Sequence, residues 1–94
     1  MQFMIYSQDK DDGLSIRQAT REAHLAWLGE DQAVKVLAAG PWLDDAGTMR
    51  GSLIIVEAPD KAAVEAWVAD DPYTHAGLAK SVTIKAYKWV IGAP

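Results

Sequence analysis

The chain has 94 residues, half of them hydrophobic, which predicts one domain over residues 1–94 and leaves no room for a second. A net charge of −4 without a basic tract argues against nucleic acid as a partner, and the absence of cysteine excludes disulfides and thiolate metal sites. Because neither a signal peptide nor a run of about 20 apolar residues is present, we expect a cytoplasmic protein with no membrane partner.

The first half of the chain predicts a strand, a helix and two further strands. Residues 2–8 are rich in β-formers and precede a turn-like cluster, Asp9 to Gly13. Apolar residues then recur at helical spacing over 15–29, with Ser15 as the cap and Gly29 at the end. A second strand over 34–39 is expected to stop at Gly40-Pro41, a loop to cover 42–50, and a third strand to cover 52–57.

The second half predicts a helix and a fourth strand. Asp60 is positioned to cap the helix and Pro72 to end it, followed by a polar connection over 70–80 and a strand over 81–89. The resulting order, βαββαβ, predicts an α+β ferredoxin-like sandwich. In that fold both helices pack on one face of a four-stranded antiparallel sheet.

The other face of this sheet is also apolar, because Met4, Tyr6, Tyr87 and Trp89 fall on it. A broad exposed apolar patch is costly, so we expect two copies to pair through it as a homodimer. A partly solvated open face is the alternative, since antiparallel sheets tolerate one.

A stripe of nitrogen side chains follows one edge of the first helix, formed by Arg17, Arg21 and His24. One interpretation is a cationic wall that binds an anionic small molecule, with His24 able to exchange protons near neutral pH. The other is a solvated helix edge in which each Arg pairs with a nearby carboxylate.

Asp70 and Asp71 stand where Pro72 must stop the second helix, so one carboxylate is free to turn inward toward His24. Such a carboxylate would orient the imidazole for acid–base chemistry, whereas the alternative is an ordinary turn aspartate. Trp42 is either a lid over a ligand or a loop anchor. His75 completes no metal-ligand spacing, and neither a nucleophile elbow nor a phosphate loop is found, so no metal and no cofactor are predicted.

Four segments, in this order and spacing, resemble the YciI-like (YCII-related domain) family: Arg21–Leu25, Ala39–Pro41, Gly51–Ile55 and Asp70–Tyr73. The resemblance implies the dimeric α/β barrel fold and a His–Asp active-site pair, matched here by His24 and Asp71. Arg21 matches the family's helix arginine, whereas Arg17 and His75 match nothing in that pattern.

Together these features predict an acid–base enzyme, a lyase or an isomerase, acting on a small anionic or cyclic metabolite. His24 would move the proton, Asp71 would orient His24, Arg21 would bind the anion, and Trp42 or Tyr73 would wall the pocket. Two alternatives stay open: a non-catalytic ligand-binding or protein-interaction module, and a dimer in which the His–Asp pair only satisfies buried polar groups.

Overall fold

A computed structural model describes residues 1–30 and 33–92. The strands and helices in this part of the chain are β1 Gln2–Asp9, α1 Leu14–Leu28, β2 Lys35–Leu43, β3 Met49–Glu57, α2 Lys61–Ala69, α3 Pro72–His75 and β4 Ala79–Tyr87. No helix within the described ranges is long and apolar enough to cross a membrane.

The strands form one sheet in the order β2-β3-β1-β4, and each pairs with its neighbours in an antiparallel direction. This is the ferredoxin-like α+β sandwich that the sequence predicts, the protomer fold of dimeric α/β barrels. Alternation along β1 turns Phe3, Ile5, Ser7 and Asp9 toward the helices. The inner face is therefore apolar at one end and polar at the other.

The core lies between the apolar end of the inner face and helices α1 and α2. Phe3 and Ile5 of β1 pack there with Val56 of β3 and with the helix residues Trp27 and Trp67. The two indole rings stack with centroids 4.1 Å apart and fix α1 against α2. The opposite, polar end of the inner face is left to form the site described below.

The β2–β3 hairpin is longer than the sequence predicts, so the expected end of β2 at Gly40-Pro41 and the loop over 42–50 are wrong. β2 continues to Leu43, and Pro41 pairs in register with Ser52. Proline is tolerated because β2 is an edge strand, where a missing backbone N–H breaks no essential ladder bond.

A tight turn at Asp44 closes this hairpin. The Asp44 carboxylate accepts the backbone N–H groups of Ala46 and Thr48 and a hydrogen bond from Arg50. The Thr48 N–H and then the Arg50 guanidinium hold the pKa of Asp44 below its usual range. The turn is thus fixed by its own side chains rather than by the core.

The helix ends confirm some predictions and correct others. Asp60 caps α2 as expected, because its carboxylate accepts the N–H of Ala63 at 2.8 Å. Ser15 does not cap α1: Gly13 holds that position, with no side-chain bond. The connection over 70–80 contains the short helix α3, because Asp71 and Pro72 favour the start of a helix as strongly as they end α2.

The outer face of the sheet, away from the helices, carries exposed apolar side chains. Tyr6 and Leu53 are neighbours in register and retain 41% and 43% of their surface, and Tyr87 is also exposed. Ile55, on the same face, is buried by its neighbours. The face is therefore a patch of apolar side chains without cover from this chain's described residues.

Candidate functional site

The side chains of His24 and Asp71 meet beneath α1. His24 Nδ1 and Asp71 Oδ1 lie 2.8 Å apart, and both side chains are about nine-tenths buried. The two residues are distant in sequence, and they come together because α3 packs against α1. A hydrogen bond at Nδ1 leaves Nε2 as the ring nitrogen available for chemistry.

Helix α3 positions Asp71. As the N-cap of α3, Asp71 uses Oδ1 to accept the backbone N–H of Tyr73 at 2.9 Å, and Pro72 takes the first helical position. The same oxygen faces His24, so the N-cap hydrogen bond and the contact with the imidazole together fix one rotamer of Asp71. Asp70, the other candidate carboxylate, is exposed at the end of α2.

Tyr73 provides a platform for the imidazole. Its ring stacks on His24 with centroids 4.0 Å apart and an interplanar angle of 14°. Burial raises the pKa of the Tyr73 phenol, and the positive charge of Arg17 acts in the opposite direction. Stacking on Tyr73 therefore sets the plane of the His24 ring, and the contact with Asp71 sets which edge of the ring faces the carboxylate.

A cavity of about 140 Å³ lies beside this pair. Its lining combines cationic and polar groups with an apolar wall: Arg17, Arg21, His24, Leu25, Leu28, Ala39, Gly40, Pro41, Met49, Ser52, Ile54 and Tyr73. His24 lines this cavity, whereas Asp71 lines a smaller one of about 30 Å³ that shares part of the same wall. Arg21 forms no ion pair with the described residues, and its charge is available to the cavity.

Arg17 is buried, which corrects the expectation of a solvated helix edge. Its Nε and Nη2 donate to the two carboxylate oxygens of Asp9 at 2.7 and 2.9 Å, and Nη2 also donates to Ser52 Oγ at 2.9 Å. Its guanidinium lies over the Tyr73 ring, 4.9 Å from the centroid. Burial alone would lower the pKa of Arg17, but the hydrogen bond and charge of Asp9 outweigh it and raise that pKa.

Trp42 lies away from the His24 cavity. Its indole stacks on Tyr6 with centroids 5.8 Å apart and donates from Nε1 to the backbone carbonyl of Ser7 at 2.8 Å. Gly51 leaves the space that this ring needs, since a Cβ there would collide with the indole and with the Ser7 carbonyl. Of the two predicted wall residues, the structure brings Tyr73 to His24 and places Trp42 on the outer face of the sheet.

Sequence reasoning missed Asp9 and Ser52. The sequence places Asp9 in a turn and Ser52 at the start of the third strand, and neither position alone predicts a role in the site. The signal was the period-two pattern of the strands: Asp9 continues the inward positions of β1, and Ser52 shares the inward positions of β3 with Ile54 and Val56. A charged residue at an inward position requires a buried partner, which Arg17 supplies.

His75 takes no part in the site, since it is exposed at the end of α3. Among residues 1–30 and 33–92, no group of three or more His, Cys, Asp or Glu side chains is arranged to bind a metal ion.

The fold and the site define a class of protein, a ferredoxin-like α+β protomer with a polar cavity between its first helix and the sheet. Residues 1–88 match the model of the YCII-related domain, and the chain belongs to that family. Protein YciI of Escherichia coli O6:H1 is 39% identical, covering 96% of this chain and 99% of that protein. A protein of Haemophilus influenzae is 37% identical over the same share of each chain.

Solved structures share the same fold. The 5-chloro-2-hydroxyhydroquinone dehydrochlorinase of Burkholderia phenoliruptrix AC1100, solved with 2,5-dihydroxybenzoquinone, superposes with a TM-score of 0.83 at 35% identity, covering 94% of each chain. An antibiotic biosynthesis monooxygenase superposes with a TM-score of 0.55 at 19% identity, covering 95% of this chain and 97% of that one, which shows the fold alone.

Proposed function

We propose that this protein is a small-molecule acid–base enzyme of the lyase or isomerase type, in which His24 transfers a proton and Asp71 orients it. The observation that carries the proposal is the order of groups at the site. Asp71 contacts Nδ1 of His24, and of the two residues it is His24 that lines the larger cavity, of about 140 Å³. This is the arrangement of an oriented general base or acid.

The chemistry follows from the ring nitrogens. When the Nδ1–H of neutral His24 is hydrogen-bonded to Asp71, Nε2 carries a lone pair that accepts a proton from the substrate. In an elimination, the electron pair left on the substrate forms a π bond while the leaving group departs with its own bonding pair. In an isomerisation, the same proton returns from Nε2 to a different atom of the substrate.

The cavity favours a small anionic or cyclic substrate. An engineered cavity of about 150 Å³ holds benzene, so a space of about 140 Å³ accommodates one six-membered ring. Arg21 stabilises a carboxylate or a developing oxyanion, and the apolar wall of the cavity contacts the ring faces. The dehydrochlorinase, 35% identical to this chain, acts on a molecule of this size, which supports a related substrate.

The experiment is a chloride-release assay with 5-chloro-2-hydroxyhydroquinone, the substrate in the name of that relative. We expect the wild-type protein to release chloride above the uncatalysed rate, and His24→Gln to lose roughly a hundredfold or more of this activity. His75→Gln is the matched control, because that imidazole is exposed outside the site. Full activity in His24→Gln would overturn the proposal, and binding without turnover by the wild type would favour a non-catalytic ligand-binding module.

We further propose that the protein is a homodimer paired through the outer face of the sheet. The exposed side chains of Tyr6, Leu53 and Tyr87 support this pairing, because an apolar patch that faces solvent is costly. A cytoplasmic location is part of the same proposal and rests on the cysteine-free composition, which suits a reducing compartment.

A further inference from the structure

Hydrogen bonds to Asp9 and Ser52 hold the side chain of Arg17 in one orientation. Nε and Nη2 donate to the two carboxylate oxygens of Asp9, and Nη2 also donates to Ser52 Oγ. The ion pair joins α1 to the end of β1, and both of its side chains are more than nine-tenths buried. A planar guanidinium that binds a carboxylate through two parallel bonds has its plane fixed as well as its position. Asp9 therefore sets the plane of the Arg17 guanidinium.

The fixed guanidinium packs on the ring of Tyr73. Its central carbon lies 4.9 Å from the ring centroid, a distance typical of a cation–π contact. The Tyr73 hydroxyl also donates to the backbone carbonyl of Arg17 at 3.4 Å. Burial lowers the pKa of Arg17, but Asp9 and then Tyr73 raise it, which agrees with a direct contact between the guanidinium and the phenol. The ion pair thus restricts where the Tyr73 ring can lie.

The same ring sets the plane of the His24 imidazole, which stacks on it with centroids 4.0 Å apart and an interplanar angle of 14°. Arg17 and His24 are seven residues apart on α1, close to two full turns, so both side chains leave the helix on one face. There they contact a single ring of α3. Because packed side chains transmit displacements to their neighbours, a shift of the guanidinium reaches the imidazole through this ring.

A role in orientation explains the buried ion pair better than stability does. Apolar residues of the same volume are often as stabilising as a buried pair, because the removal of two charges from water is costly. A bidentate pair supplies a fixed geometry instead. Proton transfer depends on such geometry, since a displacement of about 1 Å at a reacting group can cost on the order of a hundredfold in rate.

We propose that Asp9 and Arg17 are positioning residues for His24, because they hold the Tyr73 ring where it sets the plane of the imidazole that transfers the proton. The inference rests on the proposed function in giving His24 that role. Asp9 is the more informative member of the pair. Arg17 lines the cavity beside His24 and Asp9 does not, so an effect of Asp9 on the reaction passes through other side chains.

The first test is the ¹H–¹³C NMR spectrum of the imidazole C–H groups. The ring current of a phenol moves the proton signals of an imidazole stacked on it to lower frequency. His24 should show this displacement and the exposed His75 should not. In Tyr73→Leu the His24 signals should lose the displacement, which defines their position without the ring.

A double variant then removes the ion pair and retains the ring. Asp9→Asn/Arg17→Gln keeps a neutral hydrogen-bonded pair, so no unpaired charge is left buried. We expect its His24 signals to move toward their positions in Tyr73→Leu, because the Tyr73 ring has lost the guanidinium that restricts it. Asp44→Asn is the matched control. It removes the carboxylate of an Arg–Asp contact in the β2–β3 hairpin turn and should leave the His24 signals in place.

Kinetics of the chloride release separate positioning from support of the fold. In Asp9→Asn the guanidinium remains in the cavity wall without its bidentate partner. We expect kcat per folded molecule to fall by about tenfold or more while KM changes little, because a misoriented base costs rate. A variant that is only less stable would show the wild-type His24 signals in its folded molecules. If Asp9→Asn does not fold, the double variant provides both measurements.

Either of two results would overturn the inference. One is a set of His24 signals in the double variant that coincides with those of the wild type. The other is a kcat per folded molecule that equals the wild-type value in Asp9→Asn, or in the double variant where that replaces it. The NMR comparison needs no turnover, so a wild-type protein that releases no chloride contradicts the proposed function, while the His24 signals still decide whether the ion pair positions the imidazole.

Discussion

The Tyr73 ring contacts both Arg17 and His24, with the imidazole stacked 4.0 Å from the phenol centroid and the guanidinium carbon 4.9 Å from it. The phenol ring thus joins the buried ion pair of β1 and α1 to the His–Asp pair of α1 and α3. Its backbone N–H also binds Asp71, so one residue contacts each of the other three. Tyr73 therefore holds the other side chains of the site in position, in addition to lining the cavity.

Loss of the Tyr73 ring should impair catalysis without removing a reacting group. In Tyr73→Leu the imidazole has no stacking partner, so we expect kcat to fall by about tenfold or more while KM changes little, because a misoriented base costs rate. Tyr73→Phe keeps the ring and loses only a long 3.4 Å bond from the hydroxyl to the Arg17 carbonyl. It should retain most of the activity in the same chloride-release assay, and equal losses in the two variants would contradict this role.

Tyr73 also predicts a pH dependence of stability. Burial raises the pKa of its phenol above the ordinary 10.0, so the unfolded chain releases this proton at a lower pH than the folded protein does. The stabilisation is complete below about pH 10 and is lost as the pH rises through the folded-state pKa. Above about pH 10 the unfolding free energy of the wild type should fall more steeply with rising pH than that of Tyr73→Phe. Parallel denaturation profiles would count against a buried phenol.

The two Arg–Asp contacts among residues 1–30 and 33–92 should differ sharply in their contribution to stability. Asp9→Asn leaves the buried guanidinium of Arg17 without its counter-charge, which should cost on the order of 3–5 kcal/mol in urea denaturation. Asp44→Asn removes a partly exposed contact with Arg50 and should cost far less. Adding Arg17→Gln to Asp9→Asn should restore part of the lost stability. Similar losses in the two single variants would show that burial of the first pair has no energetic consequence.

The sequence predicted those parts of the structure that depend on local pattern. The order of elements, the Asp60 cap and the helical stripe that brings Arg17, Arg21 and His24 to one cavity all follow from periodicity and capping rules. The continuation of β2 through Pro41 did not follow, because tolerance of a proline depends on which strand lies at the sheet edge. The Arg17–Asp9 pair was missed because burial of both charges becomes visible only when strand and helix are packed together.

The proposed homodimer predicts a response to charge on the outer face of the sheet. Leu53→Glu places a carboxylate in the centre of the proposed interface and should convert the dimer into monomers, or into poorly soluble protein, because a buried unpaired charge is costly. Ala66→Glu adds the same charge to the solvent side of α2 and should leave the mass unchanged. Light scattering at micromolar concentration measures both. A monomeric wild type would rule out the pairing.

The pairing of His24 with Asp71 is tested most directly by the ¹⁵N chemical shifts of the imidazole, measured at a pH where the ring is neutral. The 2.8 Å contact predicts that Nδ1 carries the proton and that Nε2 is the free acceptor. On titration with 2,5-dihydroxybenzoquinone the Nε2 signal of His24 should move, while both signals of His75 stay in place. A protonated Nε2 and free Nδ1 in the wild-type protein, or an unmoved Nε2 signal in the ligand-bound protein, would contradict the assignment of His24 as the proton-transferring group.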